Sequence, residues 1–243
     1  MNIKYPLFLP NVTKTYTDSQ NRLTDETVRL EEMRKALFRL LERGHFDEIV
    51  IVDGSDCAVL SEAEISAWRA AGITIEQLKF QQDRELVRRF GKSHGEMQIT
   101  LHMLDHSTLV RRAGGFYKLS PRYSIENIDR IMPLIKPYTN AFYFYHPPGV
   151  RAFKSFAVTI FYKVSVEFYR KHLAGSIAEC SMEVSGYLET IYGNRLRVLP
   201  KRPLGVAFPF CSGVAGTTGK AIGNRFFSAR NLLSQCGLLG YRF

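Results

Sequence analysis

The sequence predicts an α/β domain whose mixed, largely parallel β-sheet is covered by helices. Segments with the apolar spacing of helices and of strands alternate through the first two thirds of the chain, which is the pattern of strands joined by crossover helices. The chain has 243 residues, of which 45% are hydrophobic, and this is enough apolar material for a real buried core. We therefore predict one domain over residues 1–200, followed by a basic, aromatic C-terminal extension over residues 201–243.

The individual elements follow from periodicity and from the residues that begin and end them. The clearest helix spans residues 25–44, where apolar residues recur at near-helical spacing, acidic residues lead and Gly44 ends the run. A second helix, residues 61–72, begins with Ser61 and Glu64, the pattern of a capping box. Further helices are predicted at about residues 96–109, 125–136, 166–173 and around Leu188 and Ile191. Alternating or aromatic apolar runs predict strands at residues 5–12, 46–53, 73–80, 116–120, 141–145 and 157–165.

The chain is basic, with a formal net charge of +10 and a sequence pI of about 9.5. Such a charge favours an anionic partner, which could be nucleic acid, the anionic face of a membrane or a phosphorylated ligand. The sequence contains no nucleic-acid-binding motif and its charges are dispersed, so nucleic acid is not expected. A non-catalytic basic α/β protein that binds another protein or a nucleic acid is the alternative interpretation.

Cysteine usage and the N-terminus bear on location. The four cysteines have no CxxC spacing, which indicates free thiols in a reducing compartment. The N-terminal apolar stretch is short and broken by proline, and no run approaches the roughly 18 apolar residues of a membrane span. We expect a cytoplasmic protein that could also rest peripherally on the inner membrane.

Two acidic residues stand at the end of the strand predicted at residues 46–53. Asp53 and Asp56 flank a Gly-Ser pair, and ligands in open α/β sheets bind beyond the carboxyl ends of strands. A carboxylate there can accept hydrogen bonds from a ribose or a base. The same Asp-Gly-Ser sequence is also common turn chemistry, so the residues alone allow either interpretation.

Two glycine-containing segments could hold a phosphorylated ligand. Gly91, Lys92 and Gly95 precede a predicted helix, whose N-terminus offers unpaired N–H groups to an anion. A plain helix-entry turn explains them equally well. The segment G213-V-A-G-T-T-G-K220 is a hydroxyl-rich loop with one lysine. Neither segment fits the Walker pattern, which argues against a kinase or a nucleotide hydrolase.

The remaining candidate site residues are the positively charged residues at the end of one predicted strand and a glutamate in a later helix. Lys118 and Ser120 share one face of the predicted strand, and Arg122 follows. A lysine and an arginine in a cleft can hold a diphosphate or a carboxylate, whereas at an open edge they would be solvated. Glu189 lies in a helix-like run and is either a general base or a surface residue.

Taken in order, these segments resemble a group of bacterial surface-polysaccharide glycosyltransferases that build lipopolysaccharide, O-antigen or capsule. The shared segments are the strand ending in D53-G-S55, G91-K-x-x-G-E96, Y117-K-L-S-x-R-Y123, G186-Y-L-E189 and S212-G-V-A-G-T-T-G-K220. The resemblance spans about residues 46–220, and Pro121 departs from it where the group has glycine. It implies a GT-A-like catalytic domain that moves a sugar from a nucleotide-sugar donor to a growing glycan.

The resemblance also implies roles for individual residues. The donor-binding residues would be Asp53, Asp56, Gly91, Lys92, Gly95, Lys118, Ser120, Gly216, Thr217 and Lys220. The catalytic residues would be Glu189 or Glu96 as the base and Arg122 as a cation that stabilises the leaving phosphate. Lys118 and Arg122 occupy the place where many GT-A enzymes keep a metal-binding D-x-D. No metal cofactor is therefore predicted, although Mg²⁺ or Mn²⁺ stays open.

The extension over residues 201–243 combines arginine and lysine with aromatic residues and leucine. This composition suits contact with an anionic inner membrane, where a glycan or lipid-linked acceptor would lie. A hydrophobic core segment is the alternative.

Overall fold

The computed structural model describes residues 4–15, 24–148, 156–214, 221–222 and 227–243. The strands in these ranges are β1 (Leu7–Asn11), β2 (Glu48–Asp53), β3 (Thr74–Lys79), β4 (Gly115–Leu119), β5 (Tyr123–Ile125), β6 (Ala141–Tyr143), β7 (Phe161–Ser165), β8 (Arg202–Pro203), β9 (Cys211–Val214), β10 (Ala221–Ile222) and β11 (Gly240–Arg242). Eight of them form one mixed sheet in the order β3-β2-β1-β4-β7-β6-β11-β8, and β10-β9-β5 form a small second sheet.

The large sheet has a parallel half and an antiparallel half. Strands β3, β2, β1 and β4 run parallel to one another, whereas each pairing from β4 onward to β8 is antiparallel. The chain leaves β1 towards β2 and β3 on one side, and later returns as β4 on the other side. The topological switch point, where open α/β sheets bind ligands, therefore lies between β1 and β4.

Helices cover both faces of the sheet. They are α1 (Glu26–Glu42), α2 (Glu62–Ala70), α3 (Arg84–Phe90), α4 (Lys92–His106), α5 (Thr108–Ala113), α6 (Ile128–Ile135), α7 (Val166–Phe168), α8 (Leu188–Arg197) and α9 (Phe227–Gln235). Helices α1, α2 and α6 pack on one face, and α4, α5 and α8 pack on the other. Strand β2 is almost completely buried because both of its faces are covered.

The sequence-based fold class is confirmed as α/β with a large mixed sheet and flanking helices. Helix α1 begins as predicted, because the Asp25 side chain accepts a hydrogen bond from the backbone N–H of Val28. The capping box of Ser61 and Glu64 is also present at the start of α2.

Two predicted boundaries are wrong in a way that matters for the candidate site. Helix α4 begins at Lys92 and not near residue 96, because Gly91 takes φ 86° and both ends α3 and begins α4. The segment from Lys92 to Gly95 is thus the first turn of a helix and not a loop. The helix predicted from residue 125 begins at Ile128, since the preceding residues form strand β5.

Parts of residues 201–243 belong to the sheet. Strand β11 lies between β6 and β8, pairing Tyr241 with Phe142 on one side and with Pro203 on the other. Leu239, just before β11, is fully buried. Within the described ranges, none of the helices combines the length and apolar composition needed to cross a membrane.

Candidate functional site

The carboxyl end of β2 is organised by one buried carboxylate. Asp53 is fully buried and accepts hydrogen bonds from the Asn11 side chain at 2.7 Å, the Thr13 hydroxyl at 2.7 Å and the Ser55 backbone N–H at 2.8 Å. The predicted donor-binding residue Asp53 therefore lies at the expected sheet edge, and its contacts tie the loops after β1 and β2 together. Asp56 differs from it, because its side chain is exposed and its backbone has φ 57°.

The first turn of α4 packs tightly against neighbouring segments. Ser93 accepts a hydrogen bond from the backbone N–H of Leu188 at 3.2 Å, which joins the starts of α4 and α8. A side chain on Gly95 would meet the Gln82 amide at 2.6 Å, so the absence of a side chain is explained by packing. Lys92 is exposed, with its Nζ 5.6 Å from the centre of the Tyr187 ring.

Lys118 of β4 is the centre of a buried polar cluster. Its side chain is fully buried, and its Nζ donates to the Ser120 hydroxyl at 2.7 Å and to the Thr159 carbonyl at 2.6 Å. The same Nζ lies 2.7 Å from Oε1 of Glu96, whose side chain is 33% exposed. An ammonium group has three N–H donors, so these three partners occupy Lys118. Lys118 and Ser120, which were predicted to share a face of the strand, are hydrogen-bonded to each other, and Glu96 is the ionic partner of Lys118.

Thr159 connects this cluster to the second candidate glutamate. Its hydroxyl donates to Oε1 of Glu189 at 3.0 Å, while its carbonyl receives the hydrogen bond from Lys118. Glu189 lies in the first turn of α8, where the partial positive charge of the helix N-terminus favours an acid. The candidate bases Glu96 and Glu189, which are far apart in sequence, are therefore joined through Lys118 and Thr159.

Two partly buried tyrosines lie within electrostatic range of the candidate carboxylates. Burial raises the pKa of the Tyr123 phenol, and the negative charges of Glu189 and Glu96 raise it further, whereas Arg122 lowers it. Burial also raises the pKa of Tyr145, with a smaller contribution from Glu189. Both phenols are thus neutral at ordinary pH.

Arg122 follows β4 and lies on the side of the sheet covered by α1, whereas the Lys118 side chain lies on the side covered by α4. It lines a small cavity of about 10 Å³, room for one water molecule, together with Met33 of α1, and its Nε and Nη1 are buried without a hydrogen-bond partner among the described residues. Its backbone has φ 65°, a left-handed conformation that is uncommon for residues other than glycine. The structure therefore does not bring Arg122 and Lys118 into one cation pair, because the latter is paired with Glu96.

Arg29 is a site residue that the sequence analysis missed. It is 4% exposed, and its Nε and Nη2 donate to the Val12 carbonyl just after β1, at 2.9 and 2.6 Å. Burial lowers the pKa of Arg29, the positive charge of Arg122 lowers it further and Asp53 opposes the change. The sequence did carry an indication that Arg29 is buried. This charged residue lies on the apolar stripe of α1, one turn before Met33 and two turns before Leu37.

The late glycine-rich segment reaches the site through its first residue. Gly213 of β9 pairs with Tyr123 of β5, and a side chain there would lie 2.0 Å from the Arg122 carbonyl oxygen. Gly216, Thr217 and Lys220, predicted to bind the donor, lie outside the described residues.

In the described part of the chain, no three His, Cys, Asp or Glu side chains converge to hold a metal ion. The expectation of a reaction without a metal cofactor stays a prediction. No model of a known protein family matches this chain, and no curated protein sequence matches it.

Proposed function

We propose that this chain is a glycosyltransferase with a GT-A-like domain, which moves a sugar from a nucleotide-sugar donor to a growing bacterial surface glycan. One observation carries the proposal. Glu96 and Glu189 are joined through the buried Lys118 and through Thr159, next to the switch point of an α/β sheet. A positioned general base at the ligand-binding end of the strands is what sugar transfer to a hydroxyl requires.

Glu189 is the proposed base. Its carboxylate contacts the neutral hydroxyl of Thr159, whereas the Glu96 carboxylate is occupied by the Lys118 ammonium. Glu189 would take the proton of the acceptor hydroxyl as that oxygen bonds to the anomeric carbon. The bond between this carbon and the donor phosphate breaks at the same time, and its electron pair passes to the phosphate.

Glu96 and Lys118 have a positioning role in this proposal. The ion pair fixes Glu96 above the end of β4, where its exposed portion could accept hydrogen bonds from sugar hydroxyls. Lys118 in turn holds the Thr159 carbonyl, and the Thr159 hydroxyl orients Glu189. A rigid base oriented by a second group is the usual arrangement for proton transfer from a hydroxyl.

The acceptor is proposed to be a glycan or a lipid-linked glycan on an anionic membrane. Val198 is 74% exposed and Leu238 is 43% exposed. Lys201 lies near both, since it donates to the Arg197 carbonyl at 2.6 Å and its Nζ is 5.7 Å from the Tyr241 ring. Exposed apolar side chains beside basic groups suit the headgroup region of an anionic bilayer.

A screen of nucleotide sugars tests the proposal. The purified chain is incubated with a panel of UDP-, GDP-, CDP- and dTDP-sugars, with Mg²⁺, with Mn²⁺ or with a chelator. Thermal stability and release of the nucleotide are both measured. A donor at hundredfold excess over its Kd stabilises the folded state by about 2.7 kcal/mol, which corresponds to roughly 5–10 °C in Tm.

The screen also separates the competing interpretations. Stabilisation and slow donor hydrolysis that persist with chelator would support both the transferase and the absence of a metal cofactor. If no nucleotide sugar stabilises or is hydrolysed, while nucleic acid gives a salt-sensitive gel shift, the transferase proposal fails.

A further inference from the structure

The two helices that carry the candidate carboxylates, α4 and α8, are tied together by side chains at two levels. At the first level, the Ser93 hydroxyl of α4 accepts a hydrogen bond from the backbone N–H of Leu188, the first residue of α8, at 3.2 Å. At the second level, the Tyr192 hydroxyl of α8 lies 3.2 Å from the sulfur of Met97 in α4. The second tie lies about one helical turn beyond the first on both helices.

Tyr169 completes the second tie from a third segment, the π-helical turn Tyr169–Leu173. Its hydroxyl lies 2.7 Å from the Tyr192 hydroxyl and 3.3 Å from the Met97 sulfur. A phenol has a single O–H, so one hydroxyl donates to the other, which in turn donates to the sulfur. All three side chains are buried, and water therefore does not compete for these hydrogen bonds.

Both phenols keep their protons. Burial raises the pKa of Tyr169 and of Tyr192, and the negative charge of Glu96 raises both further. The Glu96 carboxylate therefore lies within electrostatic range of the hydroxyl pair. The hydrogen bonds of the second tie persist throughout the pH range in which a carboxylate base operates.

Each candidate carboxylate is close to the second tie along its own helix. Glu96 directly precedes Met97 in α4, and Glu189 lies one turn before Tyr192 in α8. A helix is rigid over one turn, so a shift of α8 at Tyr192 would move Glu189 by a similar distance. The second tie therefore fixes where Glu189 lies relative to Glu96.

Tyr162 of β7 connects the same tie to the buried ion pair. Its ring centre lies 6.2 Å from the ring centre of Tyr192 and 5.9 Å from Nζ of Lys118. Lys118 in turn holds Glu96. The tie thus contacts the polar cluster through the sheet as well as through the two helices.

We propose that Tyr169 and Tyr192 are positioning residues for the base Glu189, because with Met97 they form a hydroxyl clamp that holds α8 against α4. The inference deepens the proposed function, on which it rests for the reaction itself. A base must lie within hydrogen-bond reach of the acceptor hydroxyl, and a displacement of about 1 Å can lower turnover by about a hundredfold. The clamp acts through the backbone of α8.

Tyr192→Phe tests the clamp, since it removes the hydroxyl and keeps the ring. We expect kcat for donor turnover to fall about tenfold with an unchanged KM, and Tm to fall by roughly 2–4 °C. Ile135→Val, at a buried position on the opposite face of the sheet, should lose similar stability and keep full kcat. A merely structural Tyr192 would lower Tm and leave kcat unchanged, and that result would overturn the proposal.

The two hydroxyls should behave as one unit. Tyr169→Phe is expected to resemble Tyr192→Phe, and the double variant should be little worse than either, because each single change already breaks the hydrogen bond between them. Tyr143→Phe removes a buried hydroxyl that has no hydrogen-bond partner among the described residues, so its kcat and Tm should not fall. Multiplication of the two single losses in kcat would contradict a shared clamp.

Hydrogen exchange of the Leu188 amide, followed by NMR, tests the clamp without any reaction. This amide donates to Ser93 at the first tie, and loss of the second tie in Tyr192→Phe should accelerate its exchange by roughly five- to tenfold. Ile135→Val should leave this exchange unchanged. Equal exchange in the wild type and Tyr192→Phe would show that the hydroxyls do not hold α8 in place.

The two readouts separate the clamp from the transferase proposal. If the wild type turns over no nucleotide sugar, the transferase proposal fails, while faster exchange in Tyr192→Phe still supports the clamp. If the wild type is active and Tyr192→Phe keeps full kcat, the positioning role fails and the transferase proposal stands.

Discussion

The ion pair between Lys118 and Glu96 is strongly asymmetric: the lysine side chain is fully buried, whereas the glutamate is one third exposed. Removing Glu96 and removing Lys118 should therefore lower the free energy of unfolding by different amounts. Without Glu96 the buried ammonium loses its counter-charge, but without Lys118 the remaining carboxylate can still be hydrated.

We expect Glu96→Ala to lower the free energy of unfolding by about 3 kcal/mol, near the lower end for stranding a buried charge, because Ser120 and Thr159 still bind Lys118. Lys118→Met should lower it by about 1 kcal/mol. The double variant should be more stable than Glu96→Ala alone. Urea unfolding followed by circular dichroism measures all three. Equal losses in the two single variants would contradict the asymmetry, and simple addition of these losses in the double variant would contradict the coupling of the two residues.

The role of Glu189 as a base can be separated from its role in the fold. Glu189→Gln keeps an oxygen that can accept the hydrogen bond from Thr159, so its Tm should match the wild type. Donor turnover should fall by about a hundredfold or more. Glu167→Gln, at an exposed position, is the control, and equal turnover in the two variants would remove Glu189 from the mechanism.

Gly95 has a packing role that can be tested apart from donor binding. The Gln82 amide lies 2.6 Å from where a Gly95 side chain would begin. We expect Gly95→Ala to destabilise the fold by about 1–3 kcal/mol, and Gln82→Ala in the same chain to recover part of the loss. A Gly95→Ala variant of unchanged stability with weaker donor binding would instead favour the donor-binding interpretation.

Lys163 should make stability depend on pH. It is fully buried, with its Nζ 2.8 Å from the Lys136 carbonyl and 4.9 Å from the Tyr5 ring centre. Burial first, and the charge of Lys136 second, lower its pKa to about 8. Between that value and the unfolded pKa of about 10.4, the unfolded state holds more protons, so stability contributed by this group rises with pH.

The comparison of wild type with Lys163→Met isolates this effect. Urea midpoints are measured from about pH 7 to 9.5, below the ordinary pKa of tyrosine. The wild type should gain stability relative to the variant across that range. Parallel curves for the two proteins would show that Lys163 does not titrate there.

The membrane proposal is tested by point variants, because deleting the C-terminal residues would remove strand β11 from the sheet. Val198→Glu combined with Leu238→Glu should abolish co-flotation with phosphatidylglycerol vesicles. Leu134→Glu changes an apolar residue that is 51% exposed on α6 and should leave flotation intact. Equal flotation of all variants, or none for the wild type, would contradict membrane contact.

The sequence was most informative where periodicity is strong. Helix α1 was predicted because its buried residues recur at helical spacing after a capping residue, and strand β2 because it is a short, continuous apolar run followed by a turn. The start of α4 was missed because the glycines at 91 and 95 suggested a loop. In the structure Gly91 alone supplies the left-handed backbone, whereas Gly95 is needed for close packing.

The spacing of residues in the sequence could not predict which side chains contact each other across the sheet. Lys118 and Glu96 lie on different elements, and nothing local indicates that the ammonium would be neutralised by that carboxylate. Thr159 lies just before β7 and belongs to no recognisable sequence motif, yet it links Lys118 to Glu189. Arg29 carried a signal, because a charged residue on an apolar helical stripe requires a partner or a ligand.

The pairing of β11 with β6 has a consequence for the order of folding. Strand β2 pairs with β1 and β3, whose partner residues lie 42 and 26 positions away along the chain, so its contacts form by closing comparatively short loops. The β6–β11 ladder must instead close the whole segment from Phe144 to Leu239, which is entropically expensive and slow. Pulse-labelled hydrogen exchange should therefore find amides of β2 protected before those of β11.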